Sequence, residues 1–132
     1  MVTGRDQLIG SVASMADFKK LIVWQKAHAL ALNTHRIAAQ IRGAQNASLR
    51  NQMTRAAQSI AANIVEGRGQ KSEKDFARFL GYALNSASEL EYHLITARDV
   101  KAISMSVFEA LTAQLAEVRR MLHGLIARLG TA

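Results

Sequence analysis

Apolar residues along this chain return at spacings of three and four over stretches of twenty residues or more, and no stretch alternates in period two or gathers β-branched residues. That is the pattern of amphipathic helices and predicts an all-α protein. In the first stretch Val23, Ala27, Leu30, Thr34, Ile37 and Ile41 form a packed seam, with Trp24, Ala31 and Ala38 repeating every seven residues beside it. It predicts a helix over 17–41, with Asp17 as a usable N-cap. A polar stretch, 42–47, contains Gly43 and separates it from a second helix over 48–66 with the stripe Leu49, Met53, Ala56, Ile60 and Ile64. Gly67 is read as a left-handed helix stop.

The third stretch is the most regular. Phe76, Leu80, Ala83, Ala87, Leu90, Leu94 and Ala97 keep alternating spacings of four and three, and predict a helix over 73–99. Ser72 with Asp75 three residues on is a capping-box variant, and Glu73 and Asp75 suit the positive end of the helix dipole. Ser106 with Glu109 reads as a second capping box, opening a helix over 106–129 with the seam Phe108, Leu111, Leu115, Val118, Leu122, Leu125 and Leu129 and Gly130 as its stop. Four helices with short links predict an antiparallel up-down-up-down four-helix bundle over 17–130. Residues 1–16 lack a sustained period and are expected to be a flexible leader.

Composition narrows this further. A chain of 132 residues, 49% hydrophobic and 20% charged, has the length and make-up of one folded domain. It has no cysteine, which excludes disulfides, thiolate metal sites and a cysteine nucleophile. No apolar run approaches the length of a membrane span or a signal-peptide core, so a soluble cytoplasmic protein without membrane partners is expected. Seventeen Lys and Arg against ten Asp and Glu leave a net charge of +7, which favours acidic partners and nucleic acid above all.

Trp24, Leu32, Phe79, Tyr82, Met121 and Ile126 lie off the seams. A lone bundle needs one buried stripe per helix, so this second partial stripe is expected to be buried against other copies of the chain, or else to widen the stripe within one monomer.

Polar groups interrupt the apolar pattern most in 55–80. Arg55, Ser59, Asn63 and Glu66 share one face of the second helix, and Arg78, Ser86 and Glu89 offer partners on the third. The expected outcome is a structural polar network in which Arg55 and Arg78 pair with Glu66 and Glu89 between helices. Arg68, Lys71, Lys74 and Arg78 surround a glycine turn beside a helix N-terminus and are the first candidates for a phosphate backbone. Arg42, Arg50, Arg119 and Arg120 are further nucleic-acid-binding candidates. Glu66, Glu73 and Asp75 are interspersed around the turn, which weakens the case there.

Other chemistry finds little support. Gly67, Gly69 and Ser72 follow no strand and lack Walker spacing. Four histidines (His28, His35, His93 and His123) occur without the Glu-x-x-His pairs of a di-iron bundle. No local Ser, His and acid grouping stands out. The expectation is no catalytic residues, no metal and no cofactor.

The segments FKKLIVWQKAH, with Phe18, Leu21, Val23, Trp24 and Ala27, and RAAQSIAANIVEGRGQKS, from Arg55 to Ser72, together with Phe76, Arg78, Phe79, Leu80 and the Glu89-Leu90-Glu91 run, carry a resemblance. Over about Phe18 to Leu129 the chain resembles the four-helix bundle family named after the intervening sequences of 23S ribosomal RNA, with the accessory variability determinant of diversity-generating retroelements as a more distant relative. It departs from the family pattern at Ala61, where proline is usual, at Asn85, where glycine is common, and at His35, where an aromatic is common. The resemblance implies a cytoplasmic bundle that assembles as a ring-like homopentamer with a basic surface. Members are often encoded within ribosomal RNA insertions, and the retroelement relative resembles a nucleic-acid-binding partner of a reverse transcriptase. The expected function is a non-catalytic homo-oligomer that binds structured RNA or DNA. The alternative is an oligomeric scaffold that docks a partner protein.

Overall fold

The computed structural model describes residues 17–130; the leader expected over 1–16 lies outside them. A 3-10 turn, Asp17–Lys20, precedes four α-helices: α1 (Ile22–Gln40), α2 (Ala47–Arg68), α3 (Glu73–Asp99) and α4 (Met105–Gly130). Each helix packs on its neighbour in the chain, and α1 closes the bundle against α4. The cross-links run antiparallel. Lys26 meets Glu117 while Asn33, further along α1, meets Gln114, further back on α4. Ser59 meets Ser86 between α2 and α3, and Glu91 meets Arg119 between α3 and α4.

The seams are the core. Leu30, Met53, Ile60, Ile64, Leu80, Leu90, Leu94, Leu115, Val118 and Leu122 are fully buried. Leu49 and Ile37 and, on α4, Phe108, Leu125 and Leu129 are half-buried at the ends and margins of the same cluster. The α2–α3 contact is the most extensive, because Ala56, Ala57, Ala61, Ala83 and Ala87 let the two backbones approach.

Four boundary expectations change. Asp17 does not cap α1: Leu21, extended at φ −72° and ψ 122°, separates the 3-10 turn from the helix. Phe18 folds onto Trp24, their rings 5.0 Å apart and edge to face, so burial of the two aromatics competes with a continuous helix. Gly67 is no left-handed stop. It lies buried inside α2, where a Cβ would stand 2.9 Å from Phe76 Cδ1 and 2.9 Å from Phe79 Cβ; it is a close-approach glycine. The glycine that does need its freedom is Gly43, at φ 98° in the α1–α2 link. At the start of α4 the Ser104 hydroxyl, not that of Ser106, accepts the first-turn amide, that of Val107 at 3.1 Å. Gly130, expected as the stop, is still helical.

The α3–α4 link closes with a Schellman motif. The Ala102 amide donates to the Ala97 carbonyl at 2.8 Å and the Lys101 amide to that of Arg98 at 3.0 Å, with Lys101 in the left-handed region at φ 63°. Among the described residues no helix is long and apolar enough to cross a membrane.

Candidate nucleic-acid interface

The glycine turn between α2 and α3 forms as the capping pattern predicts. Ser72 is the N-cap of α3 and its hydroxyl accepts the Asp75 amide at 3.1 Å. Two of the four cations around this turn are already engaged by acids. Arg68 Nη2 donates to Asp17 Oδ2 at 2.8 Å, tying the turn to the segment before α1, while its Nε is buried without a hydrogen-bond partner. Arg78 Nη2 lies 3.3 Å from Asp75 Oδ1, and its guanidinium sits over the Phe79 ring at 5.1 Å. Its Nη1 donates to the Tyr82 hydroxyl at 3.4 Å, and that bond, with the nearby Tyr82 charge, raises the Arg78 pKa further above its ordinary value. Lys71 and Lys74 remain exposed, with no acid bonded to either.

The further candidates divide in the same way. Arg50 Nη1 donates to the carbonyls of Ile41 and Gly43, both at 3.0 Å, and so closes the end of α1 left open where the backbone leaves the helix. Arg119 lies 3.5 Å from Glu91 across the α3–α4 contact. Arg42 and Arg120 are exposed, and no acid pairs with either.

The polar network takes a different form from the one expected. The Ser59 and Ser86 hydroxyls bond at 2.8 Å, and Asn63 Nδ2 donates to Ser59 O at 2.8 Å and to Ser59 Oγ at 3.2 Å. The ion pairs expected between α2 and α3 do not form: Arg78 turns to Asp75 on its own helix, Glu89 lies 3.7 Å from His93 on its own, and Arg55 and Glu66 are exposed without an ion-pair partner. The reason is reach. Neutral hydroxyls occupy the close contact between α2 and α3, and charged heads one turn away find solvent or a local partner at lower desolvation cost.

Two shallow grooves flank Arg55. One, of about 340 Å³ between α1 and α2, is lined by His35, Ala38, Ala39, Arg50, Asn51, Thr54 and Arg55. The other, between α2 and α3, is lined by Gln52, Arg55, Ala56, Ser59 and Glu89. A third groove, where the start of α1 meets the end of α4, has Lys20, Arg120 and Arg128 around Leu21, Ile22, Met121 and Leu125. Sequence reasoning assigned no ligand role to His35 or Asn51 and placed Arg55 in the polar network; the groove is made by two helices and has no local motif.

The off-seam apolar residues separate as well. Leu32 is 50% exposed and Tyr82 41%. Trp24, Met121 and Ile126 instead pack against the chain's own core, and Phe79 is half-buried over Gly67. Those four widen the apolar stripe within one subunit and stay half-buried, with part of their surface still exposed. Tyr92, at 65%, is more exposed than any of the six and escaped the sequence reading.

His28 stacks on Trp24 at 4.9 Å, and His35 and His123 are exposed. Among the described residues no three His, Asp or Glu side chains gather as a metal set.

Set against known proteins, residues 19–124 match the family described as 23S rRNA-intervening sequence protein. A crystal structure of a protein of unknown function from the S23 ribosomal protein family of Bacteroides thetaiotaomicron is similar, with a TM-score of 0.75 and 26% identity over 80% of this chain and 98% of that one. No curated protein matches the chain. With the match running from the start of α1 through most of α4, the chain belongs to the 23S rRNA-intervening sequence protein family.

Proposed function

We propose that this protein is a non-catalytic, cytoplasmic homo-oligomer, a ring of five subunits, that binds structured RNA or DNA through repeated basic patches. The observation that carries the reading is the number of exposed cations with no acid partner, among them Lys71, Lys74, Arg42, Arg55 and Arg120, on a chain with a net charge of +7. Repeated around a ring, contacts that are weak on one subunit sum through avidity.

Assembly draws support from the placement of apolar side chains. Leu32 is exposed on α1, while Tyr82 and Tyr92 are exposed on α3, which packs beside α2 and α4 and not beside α1. Two different patches on separate sides of a subunit suit head-to-tail contacts, the kind that close into rings. The scaffold reading draws on the same exposed aromatics, with Tyr92 as the anchor for a partner protein.

The test is fluorescence anisotropy of labelled structured RNA and matched duplex DNA, with the mass of the free protein measured by light scattering. Four phosphate contacts predict an affinity loss of about a hundredfold between roughly 50 and 200 mM salt. Absence of binding at the lower salt would overturn the nucleic-acid reading. Salt-insensitive capture of a partner protein, unchanged by Lys71→Glu, would put the scaffold in its place.

A further inference from the structure

We infer that the phosphodiester backbone of a nucleic acid docks on the outer face of the α1–α2 pair, in the groove that holds His35, Asn51 and Arg55, and not on the glycine turn. The inference rests on the nucleic-acid reading above and assigns it a site.

The first ground is how charge is distributed. Between Phe18 and Val65 there is no Asp or Glu, and there are seven Lys or Arg. The chain's whole net charge of +7 therefore resides in this segment, since the other ten of its seventeen cations are matched by its ten acids. The segment is most of the 3-10 turn, which carries Lys19 and Lys20, then α1, the link and most of α2, so five of the seven cations lie on one acid-free helical pair and its link. Nothing in the packing calls for this imbalance, which costs self-repulsion that a bound polyanion relieves.

The second ground is what the groove offers. His35, Asn51 and Arg55 are exposed, and none of the lining residues is acidic. Arg50 spends Nη1 on two backbone carbonyls, and a guanidinium has three further N–H donors on Nε and Nη2. Arg42 stands exposed in the link at the same end of the pair. The ion pairs that this segment's cations do make, Lys20 with Asp17 and Lys26 with Glu117, are at the other end and on the α4 side. Arg55 also borders the α2–α3 cleft with Glu89, and no ion pair joins them. Around the glycine turn, by contrast, Asp17 and Asp75 hold Arg68 and Arg78, and Glu66 and Glu73 stand close by in sequence.

The third ground is chemical type. Arginine forks, an amide donor and an imidazole on an open groove suit phosphate oxygens spaced along a chain. Ala38 and Ala39 also line the groove, which is open to solvent and does not enclose a small molecule.

Two double variants of the full chain test this with equal change of net charge: Arg42→Glu with Arg55→Glu at the groove, and Lys71→Glu with Lys74→Glu at the turn. Neither Arg42 nor Arg55 makes a side-chain hydrogen bond or ion pair, so the groove variant should keep the wild-type melting curve and mass. The Arg42→Gln, Arg55→Gln pair removes charge without adding any. With duplex RNA, single-stranded RNA and duplex DNA as probes, the groove variants are expected to lose more than tenfold in affinity, and the log–log salt slope to fall by about two. The turn variant should change less on both counts. Equal or larger losses in the turn variant would overturn the site and leave the nucleic-acid reading standing. Loss of binding that accompanies loss of assembled mass would also overturn it. Failure of the wild type to bind any probe would overturn both, and the order of the three probes separates RNA from DNA.

Discussion

At the scale of single residues, Gly67 shows how one atom fixes the distance between two helices. A methyl group there would meet Phe76 Cδ1 and Phe79 Cβ at 2.9 Å and the Phe76 carbonyl at 3.3 Å, and backbone cannot swing aside as a flexible side chain can. Gly67→Ala is therefore expected to destabilise the fold by about 1–3 kcal/mol in urea melts, although alanine is the better helix former. Gly81 and Gly124 supply the control. Both are helical and a Cβ at either meets nothing within 4 Å, so Gly81→Ala and Gly124→Ala should stabilise by up to about 1 kcal/mol. A Gly67→Ala protein that melts with those two would show that α2 and α3 can move apart freely. The sequence places Gly67 beside a turn, where a left-handed stop is the natural reading; its role depends on two rings from α3 that no local pattern announces.

At the scale of elements, helix bodies were far more legible than helix ends. The seams of α2 and α3 repeat through local contacts at three and four residues, so periodicity alone identifies them, and α3 begins and ends where its pattern does. Ends are decided by single hydrogen bonds competing over one or two residues. Ser104 and Ser106 both precede the seam of α4, and only the chain's path out of the Schellman motif at Ala97 to Ala102 brings the Ser104 hydroxyl to the Val107 amide. Ser104→Ala is expected to cost about 1 kcal/mol in thermal melts and Ser106→Ala less than about half of that. The reverse order would restore Ser106 as the cap. The start of α1 follows the same logic: Asp17 is a good cap by type, but its carboxylate is drawn to Arg68, 51 residues away in the chain.

At the scale of the whole molecule, the question is which surfaces are used. The assembly proposed above predicts that Leu32→Glu leaves a helical, folded monomer, because Leu32 contributes little to its own core at 50% exposure. Light scattering with circular dichroism checks both parts. Unchanged oligomeric mass for Leu32→Glu and for Tyr92→Glu would place the contact elsewhere. The candidate site was legible only in part. That the protein carries excess positive charge is plain in its composition, and the acid-free run from Phe18 to Val65 was the signal that would have located it. The glycine turn is the more conspicuous, because four cations within eleven residues stand out more than seven spread over 48.

The number of helices and their seams can be read from the chain alone, because they follow from local periodicity, and the family from its motif residues in 18–27 and 55–80. Which cations are left unpaired depends on how the helices pack. Whether Arg68 finds Asp17, Arg119 finds Glu91 or Arg55 finds no one depends on how far each helix is rotated and shifted against its neighbours. Packing of the cores sets that rotation, and charged heads at the surface then pair with whatever lies within a few ångströms.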